Sequence, residues 1–259
     1  MNTQHLASGH TVSYLERAGS GKTVVLLHGI GSNASNWQAL LDVGIGHARL
    51  IAWNAPGYLD CTALAHADPT PAHYAQVLAE FLSSLHIHKP ILVGHSLGAL
   101  MAGAYAAVHP VEHLLLLSPA QGYAAVDPAL RAQKRDDRLS MLHDLGLARM
   151  AQERSGALLR PDAPESERAR VVAAMLALNE AGYTQATHCL ANGHLLADAL
   201  ACQAPITVAC GELDAITPPK GARRLAEQLN ASYVSMGEVG HMLAIETPTA
   251  VRTLIHQLL

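Results

Sequence analysis

Short, uninterrupted apolar runs recur along the chain, and turn-forming or helix-like segments separate them. A strand that is buried on both faces of a parallel sheet has this continuous apolar character, whereas a strand with one wet face alternates apolar and polar residues. The runs predict strands at residues 11–17, 23–28, 48–53, 90–93, 111–117, 205–210 and 231–236.

Several of the intervening segments carry apolar residues at intervals of three and four, which is the period of a helix with one buried face. Residues 71–85 show such a stripe clearly, and further helices are predicted at 36–42, at 96–107, from the proline pair 218–219 onward and from 246 through 258. With 259 residues, 50% of them hydrophobic, the chain suffices for one α/β domain whose parallel sheet is covered on both faces.

Residues 119–203 interrupt this alternation, because they contain no strand-like run and their periodicity is helical throughout. Such a segment is too long for a simple crossover between two strands. We therefore expect a core formed by residues 1–118 and 204–259 and a helical cap, residues 119–203, that roofs a site and excludes water from it. The predicted cap helices are 131–145, 147–158, 166–179 and 182–191.

Charge and composition narrow the range of partners. The net charge is −4 and no lysine- or arginine-rich run is present, so nucleic acid and anionic membranes are not expected as partners. No apolar segment approaches the roughly 20 residues that span a bilayer. Residues 1–5 show no cationic start of a signal peptide, and the four cysteines have no paired spacing. A cytoplasmic protein with reduced thiols is expected.

Sixteen histidines invite a metal hypothesis, but no H-E-x-x-H or equivalent ligand spacing is present. Exposed or structural histidines are the expected interpretation, and neither a metal nor another cofactor is predicted.

The most specific chemical signal is the segment Gly94-His95-Ser96-Leu97-Gly98. It lies between the predicted strand 90–93 and the predicted helix that follows, which is the setting of a sharp strand-to-helix turn with a serine hydroxyl exposed at its apex. Ser96 is therefore the candidate nucleophile.

A serine hydroxyl needs a base within hydrogen-bond reach and a carboxylate that orients the base. Asp214 follows the predicted strand 205–210, and His241 follows the predicted strand 231–236. Ligand crevices of open α/β sheets lie at these carboxyl ends of strands. Asp214 and His241 are thus expected to complete a catalytic triad with Ser96.

Competing residues exist for both roles. Glu212 and Asp127 are the rival acids, and Asp127 follows the predicted strand 111–117. Among the histidines, His28 is expected to brace the adjacent turn by hydrogen bonding, and His95 is expected to point away from the Ser96 hydroxyl.

An oxyanion hole is predicted beside the serine. The apolar strand that ends at residue 27 runs into His28-Gly29-Ile30-Gly31, and a glycine-rich turn lets backbone N–H groups face a pocket. The amides of Ile30 and Leu97 are the candidate donors.

In these features the chain resembles the α/β-hydrolase superfamily. The resemblance runs from about residue 11 to the C-terminus and rests on His28-Gly29, Trp37, Ala55-Pro56-Gly57, Gly94 to Gly98, Gly211 to Asp214 and Gly240-His241. It implies an eight-stranded, mostly parallel sheet with a helical cap inserted after strand 6. Members often read Pro-Gly-x-Gly-x-Ser after the fourth strand, whereas this chain has Pro56-Gly57-Tyr58-Leu59-Asp60-Cys61, a segment that shapes the pocket rim.

The resemblance implies a serine hydrolase of a small ester or lactone. The cap is similar to that of bacterial enol-lactonases and of carbon–carbon hydrolases that cleave diketone ring-cleavage products. The second activity is disfavoured by Met242 and Ala99, where such enzymes often carry an aromatic residue and a glycine. A ligand-binding, receptor-like protein is a third alternative, and the oligomeric state, including a homodimer, stays open.

Candidate pocket residues follow from their positions beside these motifs or in the cap. An arginine in the cap is able to hold a substrate carboxylate in a bidentate contact. The candidates are Gly29, Trp37, Met242, Arg131 and Arg154, and Arg135 and Arg138 are further cap arginines. For Trp37 the alternative is an aromatic side chain that packs a helix onto the sheet.

Overall fold

A computed structural model describes all 259 residues. Eight strands form one sheet in the order β1-β2-β4-β3-β5-β6-β7-β8. The pairs β1–β2 and β2–β4 are antiparallel and the other pairs are parallel, which confirms the mostly parallel, eight-stranded sheet. The strands are β1 (Asn2–His5), β2 (Thr11–Arg17), β3 (Thr23–Leu27), β4 (Arg49–Trp53), β5 (Ile91–His95), β6 (His113–Leu117), β7 (Ile206–Cys210) and β8 (Ser232–Ser235).

Ten α-helices surround the sheet, and none combines the length and the apolar composition that a bilayer span requires. They are α1 (Gln38–Val43), α2 (Pro71–Ser84), α3 (Leu97–Ala106), α4 (Pro128–Ser155), α5 (Glu165–Leu176), α6 (Glu180–Asn192), α7 (Leu195–Ala201), α8 (Pro219–Leu229), α9 (Leu243–Glu246) and α10 (Pro248–His256).

The sheet separates two apolar cores, and this explains the continuous apolar runs. Successive residues of a strand point to opposite faces. In β3, Val25 and Leu27 pack into the larger core of 50 buried residues, whereas Val24 and Leu26 pack into a second core of 21. Both faces of the central strands therefore need apolar side chains.

Helix α4 contains a reversal at Gly146, where the sequence predicts two separate helices. Gly146 has φ 67° and ψ 166°, a conformation that is open to glycine but rare for other residues. Arg154 Nη1 lies 3.4 Å from Met141 Sδ. Thirteen residues of straight helix would separate these positions by about 20 Å, so the chain folds back on itself at Gly146.

The end of the predicted cap differs from the expectation. Helix α7 was not predicted, and it packs against α3 of the core. A Cβ on Gly103 would lie 2.7 Å from Leu195 Cδ1, so the Leu195 side chain packs on α3 where residue 103 has none. The helices inserted after β6 that stand above the core are therefore α4, α5 and α6.

The cap contacts the core at Gly57, which has φ 83°. Asn179 Nδ2 donates to Gly57 O at 2.6 Å, and a Cβ on Gly182 would overlap that same oxygen. The start of α6 thus lies directly on the loop after β4, and the unusual rim sequence Pro56-Gly57-Tyr58 forms the seat of the cap.

Candidate active site

Ser96 occupies the sharp turn between β5 and α3. Its backbone has φ 53° and ψ −116°, in the left-handed range that residues with a side chain rarely adopt. A Cβ on Gly94 would lie 2.5 Å from Gly98 O, and one on Gly98 would lie 2.5 Å from Leu27 O. Glycine is therefore required at both flanking positions, because the strand, the turn and the helix pack backbone against backbone.

His241 and Asp214 form a buried pair. His241 Nδ1 lies 2.9 Å from Asp214 Oδ2, and both side chains are almost fully buried. Asp214 Oδ1 accepts from the amides of Ile216 and Thr217, each at 2.9 Å. Burial by itself would raise the pKa of Asp214, but the hydrogen bond and charge of His241, together with the Thr217 amide, hold it well below its usual range.

Thr217 is a site residue that the sequence analysis missed. Its hydroxyl lies 2.8 Å from Asp214 Oδ2, 3.0 Å from Ser118 O and 3.2 Å from His241 Nδ1. A threonine three residues after an aspartate is a common turn-closing arrangement, so its spacing was a usable signal. The hydroxyl fixes the carboxylate on the side facing His241.

A second missed residue, Glu246, holds the loop that carries His241. The Glu246 side chain is fully buried and accepts from Gly240 N and Met242 N, each at 3.0 Å. The same carboxylate accepts from the cap residue Arg160 through its backbone amide at 2.8 Å. One buried acid therefore ties both neighbours of His241 to the cap.

The two rival histidines serve as braces. His28 Nε2 accepts from Ala55 N at 3.0 Å, so the proton is on Nδ1, which donates to Gly29 O at 2.8 Å. His95 Nε2 donates to His241 O at 2.8 Å. Burial lowers the pKa of His28 to about 4 and that of His95 to about 3, so both rings are neutral near pH 7.

The rival acids have other partners. Asp127 caps α4 by accepting from Ala129 N at 2.9 Å, and Glu212 pairs with Arg223 at 2.6 Å. Neither contacts His241, which leaves Asp214 as the carboxylate beside the imidazole. No group of three or more histidine, cysteine, aspartate or glutamate side chains is arranged to hold a metal ion.

Two backbone amides beside Ser96 are free to act as donors. Ile30 N–H makes no hydrogen bond within the protein. Leu97 is the first residue of α3, and the first amides of a helix have no intrahelical acceptor. Tyr58 Oη donates to Ile30 O at 2.9 Å and so fixes the turn from the other side. This arrangement can receive an oxyanion next to the serine.

One cavity of about 220 Å³ joins these groups under the cap. Its wall contains no acidic residue and only two permanently charged ones, Arg138 and Arg154. The sequence-predicted residues that line it are Gly29, Ile30, Ser96, Leu97, Arg154, His241 and Met242, and further lining residues include Gln121, Tyr123, Met175, Tyr183 and Thr217.

Two predicted pocket residues lie elsewhere. Trp37 is buried in the second core, and its ring is nearly perpendicular to that of His95, with 6.4 Å between the centroids. Trp37 packs against His95, which donates to His241 O, and it does not line the cavity. Arg131 lies near the start of α4, outside the cavity wall, because the inward-facing arginines of this helix are Arg138 and Arg154.

Comparisons with known proteins place this geometry in a family. An (E)-2-((N-methylformamido)methylene)succinate hydrolase of Acinetobacter baylyi is 31% identical over 108 residues, which is 42% of this chain and 40% of the relative. The chain therefore spans less than half of that relative's length.

Solved structures share the whole fold. The enol-lactonase of Burkholderia xenovorans matches with a TM-score of 0.85 and 20% identity over 99% of both chains. A thermophilic esterase of Thermogutta terrifontis matches with a TM-score of 0.84 and 22% identity, covering 99% of this chain and 96% of that one. A sequence model of the alpha/beta hydrolase family matches residues 24–254, nearly the full length, and the chain belongs to this family.

Proposed function

We propose that the protein is a serine hydrolase that cleaves a small ester or lactone through a covalent acyl-enzyme. The observation that carries the proposal is the buried His241–Asp214 pair, whose imidazole lines the same cavity as the strained Ser96 turn. Ser32 lines this cavity too, but it accepts a hydrogen bond from Asn36 and has no imidazole partner.

The proton positions support this chemistry. Asp214 is ionised over the physiological range and accepts the His241 Nδ1 proton, which leaves the Nε2 lone pair available as a general base. His241 takes the Ser96 proton while Ser96 Oγ bonds to the substrate carbonyl carbon. The carbonyl oxygen becomes an oxyanion at the amides of Ile30 and Leu97, each worth about 3 kcal/mol of barrier.

Collapse of this intermediate breaks the bond to the leaving oxygen, which takes the proton from His241 Nε2. Water then attacks the acyl group, its proton passes to Nε2, and release of the acid returns the proton to Ser96. Side chains of α4, α5 and α6 line the cavity on the side of the cap, where they reduce the access of bulk water. The reaction needs no cofactor.

Labelling with a fluorophosphonate tests the proposal. We expect one phosphonylated peptide, the one that contains Ser96, and no adduct in Ser96→Ala, with Ser32 as the matched serine in the same cavity. The labelled enzyme is then compared with free enzyme on p-nitrophenyl esters, lactones and vinylogous diketones.

Loss of ester and lactone turnover on labelling supports the proposal. Turnover restricted to diketones would establish carbon–carbon cleavage instead. Ligand binding without any turnover or labelling would establish a receptor-like role.

A further inference from the structure

The cavity wall is electrostatically one-sided. Its two permanently charged residues, Arg138 and Arg154, both belong to α4, and no aspartate or glutamate faces them in the wall. They stand at equal distances along the chain on either side of Gly146. The reversal at that glycine therefore brings both guanidinium groups to the same cavity.

Neither guanidinium has an acidic partner. Arg138 Nη1 donates to Tyr183 Oη at 3.2 Å, and Arg154 Nη1 lies 3.4 Å from Met141 Sδ. Other cap arginines do pair with acids, for example Arg149 with Glu153 at 2.6 Å. The cap is thus not short of carboxylates. Of its arginines without an acidic partner, Arg138 and Arg154 are the two that line the cavity.

This arrangement is unfavourable without a ligand. Both arginines are partly buried, and burial together with the charge of Arg138 lowers the pKa of Arg154. Two like charges in a half-buried site repel each other, and each retains N–H donors that the protein does not satisfy. An anion between them would remove both costs.

We propose that Arg138 and Arg154 bind a carboxylate carried by the substrate, so that the protein prefers esters or lactones with a free acid group remote from the scissile carbonyl. This inference rests on the proposed hydrolysis at Ser96. A guanidinium presents a planar fork of donors that matches a carboxylate, and Arg138, Arg154 and the Tyr183 hydroxyl all belong to the same cavity wall. Tyr183 belongs to α6, so a bound carboxylate would also connect α6 to both halves of α4.

The test compares substrates that differ by one terminal group. In p-nitrophenyl hydrogen adipate a carboxylate replaces the terminal methyl group of p-nitrophenyl hexanoate, and hydrogen pimelate against heptanoate repeats the pair at a greater length. The Ser96→Ala protein supplies the blank for spontaneous hydrolysis. We expect the wild type to have a kcat/KM at least about 10-fold higher for one of the acids than for its methyl counterpart, because a charged hydrogen bond contributes this much.

Variants then assign the preference to the two arginines. Arg138→Gln and Arg154→Gln should each lower kcat/KM for the preferred acid on the order of 10- to 100-fold more than for the methyl counterpart. Arg131→Gln, the matched control on the same helix but outside the cavity, should change neither substrate by more than about twofold. A wild type that prefers the methyl esters, or variants that lower both substrates equally, would overturn the carboxylate site.

Binding to the inactive Ser96→Ala protein separates this inference from the reaction. Calorimetric titration of Ser96→Ala with adipate should show binding. Adding Arg154→Gln to the Ser96→Ala protein should weaken that binding on the order of 10- to 100-fold. If adipate binds but the wild-type protein hydrolyses no ester, the carboxylate site is retained and the proposed hydrolase is refuted. If the wild-type protein hydrolyses esters but shows neither adipate binding nor a preference for the acid substrates, the hydrolase is retained and the carboxylate site is refuted.

Discussion

Replacing Glu246 by glutamine keeps the size of a fully buried side chain but removes its charge and half of its acceptor capacity. In the native protein, one oxygen accepts from Met242 N and the other from Gly240 N and Arg160 N. An amide has one acceptor oxygen, so at least one of these N–H groups would face the new NH₂ group and lose its partner.

The magnitude follows from these contacts. One buried N–H without a partner costs about 1–3 kcal/mol, and the remaining hydrogen bonds lose about 1 kcal/mol because their acceptor is no longer charged. We expect the free energy of unfolding to fall by about 2–4 kcal/mol, which corresponds to a Tm lower by about 5–15 °C. Because Gly240 and Met242 flank His241, the imidazole should also shift, and kcat should fall by about 10- to 100-fold.

Glu167→Gln is the matched control. Glu167 pairs with the same Arg160, at 2.7 Å, but touches neither neighbour of His241. Glu167 accepts from the Arg160 guanidinium but from no backbone amide, so its replacement leaves no buried N–H without a partner and should lower the free energy of unfolding by less than Glu246→Gln does. The assay is kcat and KM on a p-nitrophenyl ester together with calorimetric Tm. A Glu246→Gln protein with normal kcat, or a Glu167→Gln protein with an equal loss, would refute the reasoning.

Three further outcomes are expected. Asp214→Asn should lower kcat by about 10⁴-fold, because the amide no longer stabilises the imidazolium, whereas Glu212→Gln should leave kcat within twofold; steady-state kinetics of both decide the identity of the acid. Unfolding free energy should fall as pH drops from about 6.5 towards 4, because the pKa of His28 is lowered to about 4 and that of His95 to about 3, so the unfolded chain binds protons that the native state does not; denaturant titrations with a flat profile across this range would contradict the neutral, buried rings. Gly182→Ala should lower Tm, because its Cβ overlaps Gly57 O, while Gly156→Ala, which would meet only the end of the Arg168 side chain, should not.

The sequence predicted the central strands because each is apolar on both faces. β1 was missed for the opposite reason: Asn2–His5 is a polar, mostly exposed edge strand without an apolar pattern. Helix α7 was not predicted: it is a short helix that packs against α3, and such a tertiary contact is not visible in the local pattern. The local pattern of apolar residues therefore predicted the buried elements. It did not predict elements whose position depends on contacts with residues distant in the sequence.

In the candidate site, too, the sequence predicted some residues and not others. Ser96, Asp214 and His241 each follow a strand that an apolar run predicts, so the sequence alone made them candidates. The residues that hold these side chains in place could not be predicted. In the sequence Glu246 looks like the start of a helix, and only the fold places backbone amides around its carboxylate. Trp37 was open to two interpretations, a pocket residue or an aromatic that packs a helix onto the sheet, and it lies in the second core. The sequence does not reveal which face of the sheet a short helical turn covers.

The central claim is that Ser96 attacks the substrate and carries its acyl group. Rapid quenching during turnover of a p-nitrophenyl ester, followed by peptide mass spectrometry, measures this directly. The account predicts an acyl mass increment on the peptide that contains Ser96, formed together with a burst of nitrophenolate and absent in Ser96→Ala. An increment on any other residue, or undiminished turnover in Ser96→Ala, would contradict it.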